Sequence, residues 1–257
     1  MRFKSLLAVG IAGLGALALP SCATNDSMMF VVGVFARRAG ECEPKPEGDA
    51  PILAKGTMDR TFASEYRAAL LVGNQITERG SREQLRTETS RVVLKGAEVN
   101  LEDLLGNSLA PAFSSTATGF VDAASGTDPS LAVMYATLIP GSVAVTLPRG
   151  TGLAKVRVFG DTLGGEEVES SELAFPIEIC DGCLISYPAS ARDLTADGTD
   201  YVCKLGTTEG DTGSNEEVAL PCNIGIDIPA PCTVCSGLFA ACQTPLENCA
   251  YNPDVCP

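Results

Sequence analysis

Apolar positions recur along the first two thirds of the chain in short runs, several with a period of two, which is the pattern of half-buried β-strands. Met28 to Ala36 is rich in the β-formers Phe30, Val31, Val32, Val34 and Phe35 and predicts a buried first strand. Nine residues are too few to cross a bilayer as a helix. Tyr66 to Asn74 predicts a second strand, and between Arg91 and Leu101 the residues Ala97, Val99 and Leu101 fall on one face, with Glu98 and Asn100 on the other. Leu131 to Ile139 predicts a more apolar strand stopped by Pro140-Gly141, and Val143 to Leu147 a short alternating one stopped by Pro148. Leu153 to Phe159 puts Lys155 and Arg157 in water between inward Val156 and Val158. The turn Thr162-Leu163-Gly164-Gly165 then leads to a strand ending at Phe175–Ile179. Helix signals are few, with Leu101 to Leu109 good for one or two turns. Short strands punctuated by Gly and Pro predict an all-β, sandwich-like domain over 51–179.

At Cys180 the pattern breaks. Residues 180–257 lose periodicity, carry 11 acids against only Arg192 and Lys204, and hold nine of the 11 cysteines: Cys180, Cys183, Cys203, Cys222, Cys232, Cys235, Cys242, Cys249 and Cys256. Such a segment reads as an acidic, disulfide-knitted, irregular region without a second hydrophobic core. The last four cysteines recur every seven residues, but Pro245 and Pro253 argue against a long helix.

The other end carries an address. A basic start with Arg2 and Lys4 precedes an apolar run from Leu6 to Leu19, too short to span a bilayer but fitting a secretory leader. The run closes in Leu19-Pro20-Ser21-Cys22, which resembles the lipobox of bacterial lipoproteins. The resemblance implies cleavage after residue 21, a diacylglyceryl group on the Cys22 thiol and acylation of the new amino terminus. Residues 1–21 are then the leader, and 22–50 the lipid anchor, a short tether and the first strand. Ser21-Cys22-Ala23 also fits the ordinary signal peptidase, whose cut after Ala23 would release a soluble chain. With its leader, lipobox and cysteine-rich layout the chain resembles the Cys-rich lipoproteins of Gram-negative bacteria, few of which have an assigned activity. Separately, Val156-x-Val158-Phe159-Gly160-Asp161-x-Leu163-Gly164-Gly165 resembles the late hairpin of immunoglobulin-like and fibronectin-like sandwiches.

Charge and composition narrow the chemistry. The formal charge is −14, and loss of the leader removes two basic residues and no acid, leaving 16 basic against 32 acidic side chains. Nucleic acid is not an expected partner, because affinity there rests on Lys and Arg neutralising phosphates. Anionic headgroups are repelled too, so membrane attachment is expected through the lipid on Cys22. The chain has no histidine, which excludes Ser-His-Asp and Cys-His catalysis and every imidazole metal site. No Trp and 5% aromatics argue against a carbohydrate cleft of stacked rings. No catalytic residue, metal site or cofactor is expected.

Cys180-Asp181-Gly182-Cys183 and Cys232-Thr233-Val234-Cys235 are Cys-x-x-Cys pairs. Zinc would want the second pair within about 15–20 residues, far closer than it comes. Asp181 works against a reactive thiolate in the first pair. Structural disulfides are the expectation for an exported chain. If Cys22 carries lipid and the other ten cysteines pair internally, Cys42 must reach Cys180 or beyond, at least 138 positions away; its partner stays open. Asp193-x-Thr195-x-Asp197-Gly198 opens like a calcium loop, but Lys204 stands where the closing Glu belongs. The stretch Glu209 to Glu217 reads as a solvated acidic loop. Arg79, Arg82, Arg86 and Arg91, interspersed with Glu78, Glu83 and Glu88, read as a mixed-charge loop.

The expectation is a membrane-anchored, non-enzymatic binding or structural module of the cell envelope, with a carboxylate-based hydrolase as the alternative, and one contrast separates the two. A pair of acids facing one cleft would favour a carboxylate-based hydrolase of envelope polymers, whereas a flat apolar patch would favour a binder of an envelope protein. The outer membrane is the expected site, on its periplasmic or surface face.

Overall fold

A computed structural model describes residues 28–38, 40, 42–80, 87–186 and 222–231. They form twelve strands and one short helix: β1 Met29–Phe35, β2 Ile52–Leu53, β3 Gly56–Asp59, β4 Tyr66–Asn74, β5 Val92–Asp103, β6 Phe113–Val121, β7 Ser130–Ile139, α1 Gly141–Ala144, β8 Gly150–Thr162, β9 Glu167–Glu169, β10 Leu173–Cys180, β11 Ile185–Ser186 and β12 Ala230–Pro231. The protein is all-β, and its architecture is sandwich-like. One sheet has the order β2-β1-β4-β7, and the other β3-β10-β8-β5-β6, with β9 added beside β8. β11 and β12 make a separate two-stranded ladder.

The two large sheets bury one core. Val34, Leu70, Val72, Met134 and Leu138 from the first meet Val99, Leu101, Val156, Val158 and Ile177 from the second. Alternation explains the second sheet: Ala97, Val99 and Leu101 of β5 point inward, while Glu98 is exposed. β4 is central in its sheet and buried at every position but Arg67, so it reads as a nearly continuous apolar run. Antiparallel pairs dominate, but β3 runs parallel to β10, with Gly56 opposite Ile177 and Asp59 opposite Cys180.

Two expectations fail here. Val143 to Leu147 is not a strand. Pro140, in extended geometry, starts α1, its carbonyl accepts the N–H groups of Val143 and Ala144, and Leu147 bonds back to Val143. Ala144 and Leu147, three apart, are the buried pair, while Val145 is 78% exposed. Leu101 to Leu109 is not helical either. β5 continues to Asp103, whose carboxylate then accepts the N–H groups of Leu105 and Asn107 and the Asn107 side chain. That Asx-type turn leaves Leu104 and Leu105 70% and 89% exposed.

The registers give the sandwich two poles. Met29, Asn74 and Ser130 stand together at one end of the first sheet, and the buried Asn74 amide donates to the carbonyls of Ser90 and Asp122 at the neighbouring end of the second. The opposite pole holds Tyr66, Ile139, Asp103, Asp59 and Cys180. The described chain therefore enters at one pole, and β3 and β10 finish at the other.

A candidate functional site built on a disulfide turn

β3 and β10, paired in parallel, end side by side at the far pole, and this places Asp59 against the turn that follows Cys180. Cys180 is bonded to Cys183 across that turn, with Cα atoms 5.9 Å apart. The turn needs Gly182 in a left-handed conformation, at φ 78°. Asp59 is fully buried, and its carboxylate takes up the donors of the turn. One oxygen accepts the N–H of Gly182 at 2.8 Å and of Thr61 at 3.0 Å; the other accepts that of Leu184 at 2.9 Å. A buried carboxylate is tolerated when such bonds replace its hydration.

The next residue along each strand adds a second clamp. Arg60 donates through Nε and Nη2 to the two oxygens of Asp181, at 3.0 and 2.7 Å, and through Nη1 to the carbonyl of Leu147 at 2.7 Å. Arg149 donates to the same Asp181 at 2.6 Å. Burial pushes the Asp181 carboxyl upward, but its bonds from Arg60 and Arg149 outweigh that and hold it below the usual carboxylate range. The sequence-based objection that Asp181 loads the turn with negative charge is thus met by two guanidinium groups.

Beside this turn, residues 222–231 close over β3. The Asp227 backbone N–H donates to the Thr57 carbonyl, and its carboxylate accepts the Thr57 N–H at 2.9 Å and the Tyr66 hydroxyl at 2.9 Å. Tyr66 crosses directly over Gly56; a Cβ there would lie 2.2 Å from the hydroxyl oxygen, so only glycine leaves it room. Burial raises the Asp227 carboxyl above its ordinary range in spite of the Thr57 and Tyr66 bonds and the nearby Arg37 charge. Burial, and then the Asp227 charge, raise the Tyr66 phenol as well. Cys42 is bonded to Cys222, 180 positions on, which fastens the loop after β1 to this segment.

Of the cysteines expected to pair, Cys42, Cys180, Cys183 and Cys222 are described, and all four are bridged. Cys22, Cys203, Cys232, Cys235, Cys242, Cys249 and Cys256 lie outside the described residues, as do Arg82, Arg86 and the two acidic stretches at 193–204 and 209–217. Arg79 and Arg91 do not converge on a site. Glu88 accepts the backbone N–H groups of Arg79 and Gly80, while Arg91 pairs with Asp122 and lies over the Phe120 ring at 4.6 Å.

Asp59, Cys180 and Cys183 are the one group of three potential metal ligands found close together among the described residues, within 4.8 Å of one another. As a disulfide the sulfurs are not thiolate ligands, and the carboxylate is already occupied by three N–H groups. The chemistry the group offers as it stands is thiol–disulfide exchange. The outer face of β5, β6 and β8 has a hollow of about 380 Å³, where Lys155 pairs with Glu102 and Arg157 with Glu172. Compared with known proteins, the chain matches no protein-family model and no curated protein.

Proposed function

We propose that the protein is an exported, lipid-anchored, non-enzymatic module of the cell envelope, held at a membrane by one pole of an immunoglobulin-like sandwich and presenting the other. The observation that carries this reading is polarity. β1 begins at Met29, only seven positions after Cys22, and a fully extended tether of that length reaches roughly 25 Å. An anchor on Cys22 would hold the Asn74 pole close to the bilayer and turn the disulfide turn and the exposed Leu104-Leu105 loop away from it. The excess of acids repels anionic headgroups, which leaves attachment to the acyl chains.

Strand order supports the immunoglobulin-like assignment. With β1, β4 and β7 taken as A, B and E, and β5, β6, β8 and β10 as C, C′, F and G, the sheets read A-B-E and G-F-C-C′. Folds of this kind host binding functions on their ends and faces, so the fold is consistent with an envelope protein as partner without naming it.

Mass spectrometry of the mature amino terminus tests the anchor. The expected result is acyl mass on Cys22 and a membrane-bound chain that Cys22→Ala releases into the soluble fraction. A free terminus at Thr24 on a soluble chain would overturn the reading.

A further inference from the structure

We propose that the module carries at Cys180–Cys183 a stoichiometric thiol–disulfide exchange site, reducible without unfolding, whose partners are the dithiols and disulfides of other proteins. Three observations carry this. First, the bridge spans 3 positions, against 180 for Cys42–Cys222, so it removes far less freedom from the unfolded chain. Second, the turn is fastened by bonds that do not involve sulfur. Asp59 holds the N–H groups of Gly182 and Leu184, Arg60 and Arg149 hold Asp181, and the Arg60 N–H donates to the Cys180 carbonyl at 2.9 Å. Opening the S–S bond leaves that scaffold standing, with both sulfurs still facing each other. Third, Cys180 and Cys183 are both partly exposed, so an outside thiolate can reach them.

The two sulfurs are not equivalent. The Cys180 sulfur lies 3.6 Å from the Met58 carbonyl oxygen. A Cys180 S–H has an acceptor in that oxygen, so Cys180 is the sulfur set to take up a proton when the bridge opens, and Cys183 is the one left to exchange with partners. A donor thiolate attacks the Cys183 sulfur, the S–S bond breaks, and the electron pair passes to Cys180, which takes up a proton. The donor's second thiol then displaces Cys183 from the mixed disulfide. The donor leaves as a disulfide, and two electrons and two protons have passed to Cys180 and Cys183. Run backwards, the reduced pair reduces a client disulfide.

Differential alkylation of the full chain during a dithiothreitol titration, read by peptide mapping, tests this. Cys180 and Cys183 should take label while Cys42 and Cys222 are labelled less by about tenfold or more, with the near-ultraviolet circular dichroism unchanged. Glutathione disulfide should then trap a mixed disulfide on Cys183 in Cys180→Ser, and about tenfold less adduct should form on Cys180 in Cys183→Ser. Label at Cys180 and Cys183 only as the circular dichroism collapses, or no adduct on Cys183 in Cys180→Ser, would overturn the proposal. Neither arm needs lipid on Cys22, so the result is separate from that of the anchoring test.

Discussion

The two disulfides among the described residues sit in opposite surroundings. Cys42–Cys222 joins chain segments 180 positions apart, and the segment it fastens meets β3 through one isolated bridge, Met58 to Ile226, and the hydrogen bonds of Asp227. Cys180–Cys183 joins neighbours in a turn already gripped by Asp59, Arg60 and Arg149. In a chain-entropy treatment the long loop is worth about 5 kcal/mol and the four-residue loop about 2 kcal/mol. The lesson is that the same bond serves stability where the fold supplies little else. Where the fold is already rigid, the bond is free to serve chemistry.

The largest expected effect tests the first half of that contrast. Cys42→Ser combined with Cys222→Ser should cost up to about 5 kcal/mol in urea unfolding and loosen residues 222–231, seen as faster hydrogen exchange at Thr57 and Asp227. A loss under about 1 kcal/mol would mean that Asp227 and its neighbours hold the segment unaided. The second half is sharpened by setting Asp59→Ala against Cys180→Ser combined with Cys183→Ser. Asp59→Ala strands three backbone N–H groups, two of them in the disulfide turn, and should cost about 3 kcal/mol or more. The double serine variant should cost about 2 kcal/mol or less. The reverse order would show that the sulfurs, not the carboxylate, hold the turn.

The smallest effect is a pH dependence. Because burial raises the Asp227 carboxyl, the folded chain holds that proton more tightly than the unfolded chain does. The contribution is complete below the ordinary Asp range, near pH 4, and is lost as the pH rises through the raised folded value. Urea unfolding across that window should show the wild type losing ground relative to Asp227→Asn. A difference between the two that stays flat with pH would assign Asp227 an ordinary affinity for its proton.

Much of the sandwich is legible in the sequence because its central strands carry their burial in their own residues. Tyr66 to Asn74 and Leu131 to Ile139 coincide with β4 and β7 almost residue for residue, and the alternation through Ala97, Val99 and Leu101 places β5 correctly. β6 is not legible. Its inward positions include Ser115, Ala117 and Gly119, too small or polar to mark a face, and Ser115 is tolerated because its hydroxyl accepts the Thr137 N–H. β3 is four residues long and finds its partner more than a hundred positions away, so no local pattern announces it. The same distance hides the candidate site. Nothing in the local sequence sets Asp59 or Asp227 apart from the other acids; the pairing of β3 with β10 and the return of residues 222–231 turn them inward. The Cys-x-x-Cys spacing was visible; the carboxylate and guanidinium groups around it were not.

The parallel pairing of β3 with β10 also sets a timetable. Thr57 belongs to a strand made early, yet its backbone N–H and carbonyl are both satisfied by Asp227, at a separation of 170 residues. Contacts that far apart are the slow ones, because the intervening chain must be ordered before they are rewarded. In a chain emerging from its amino terminus, β3 has no sheet partner until β10 appears more than a hundred positions later, and its other side waits for residues 222–231. Such an edge is exposed to wrong partners for that interval. An acidic chain is well suited to the wait, since like charges keep its copies apart until the last strand arrives.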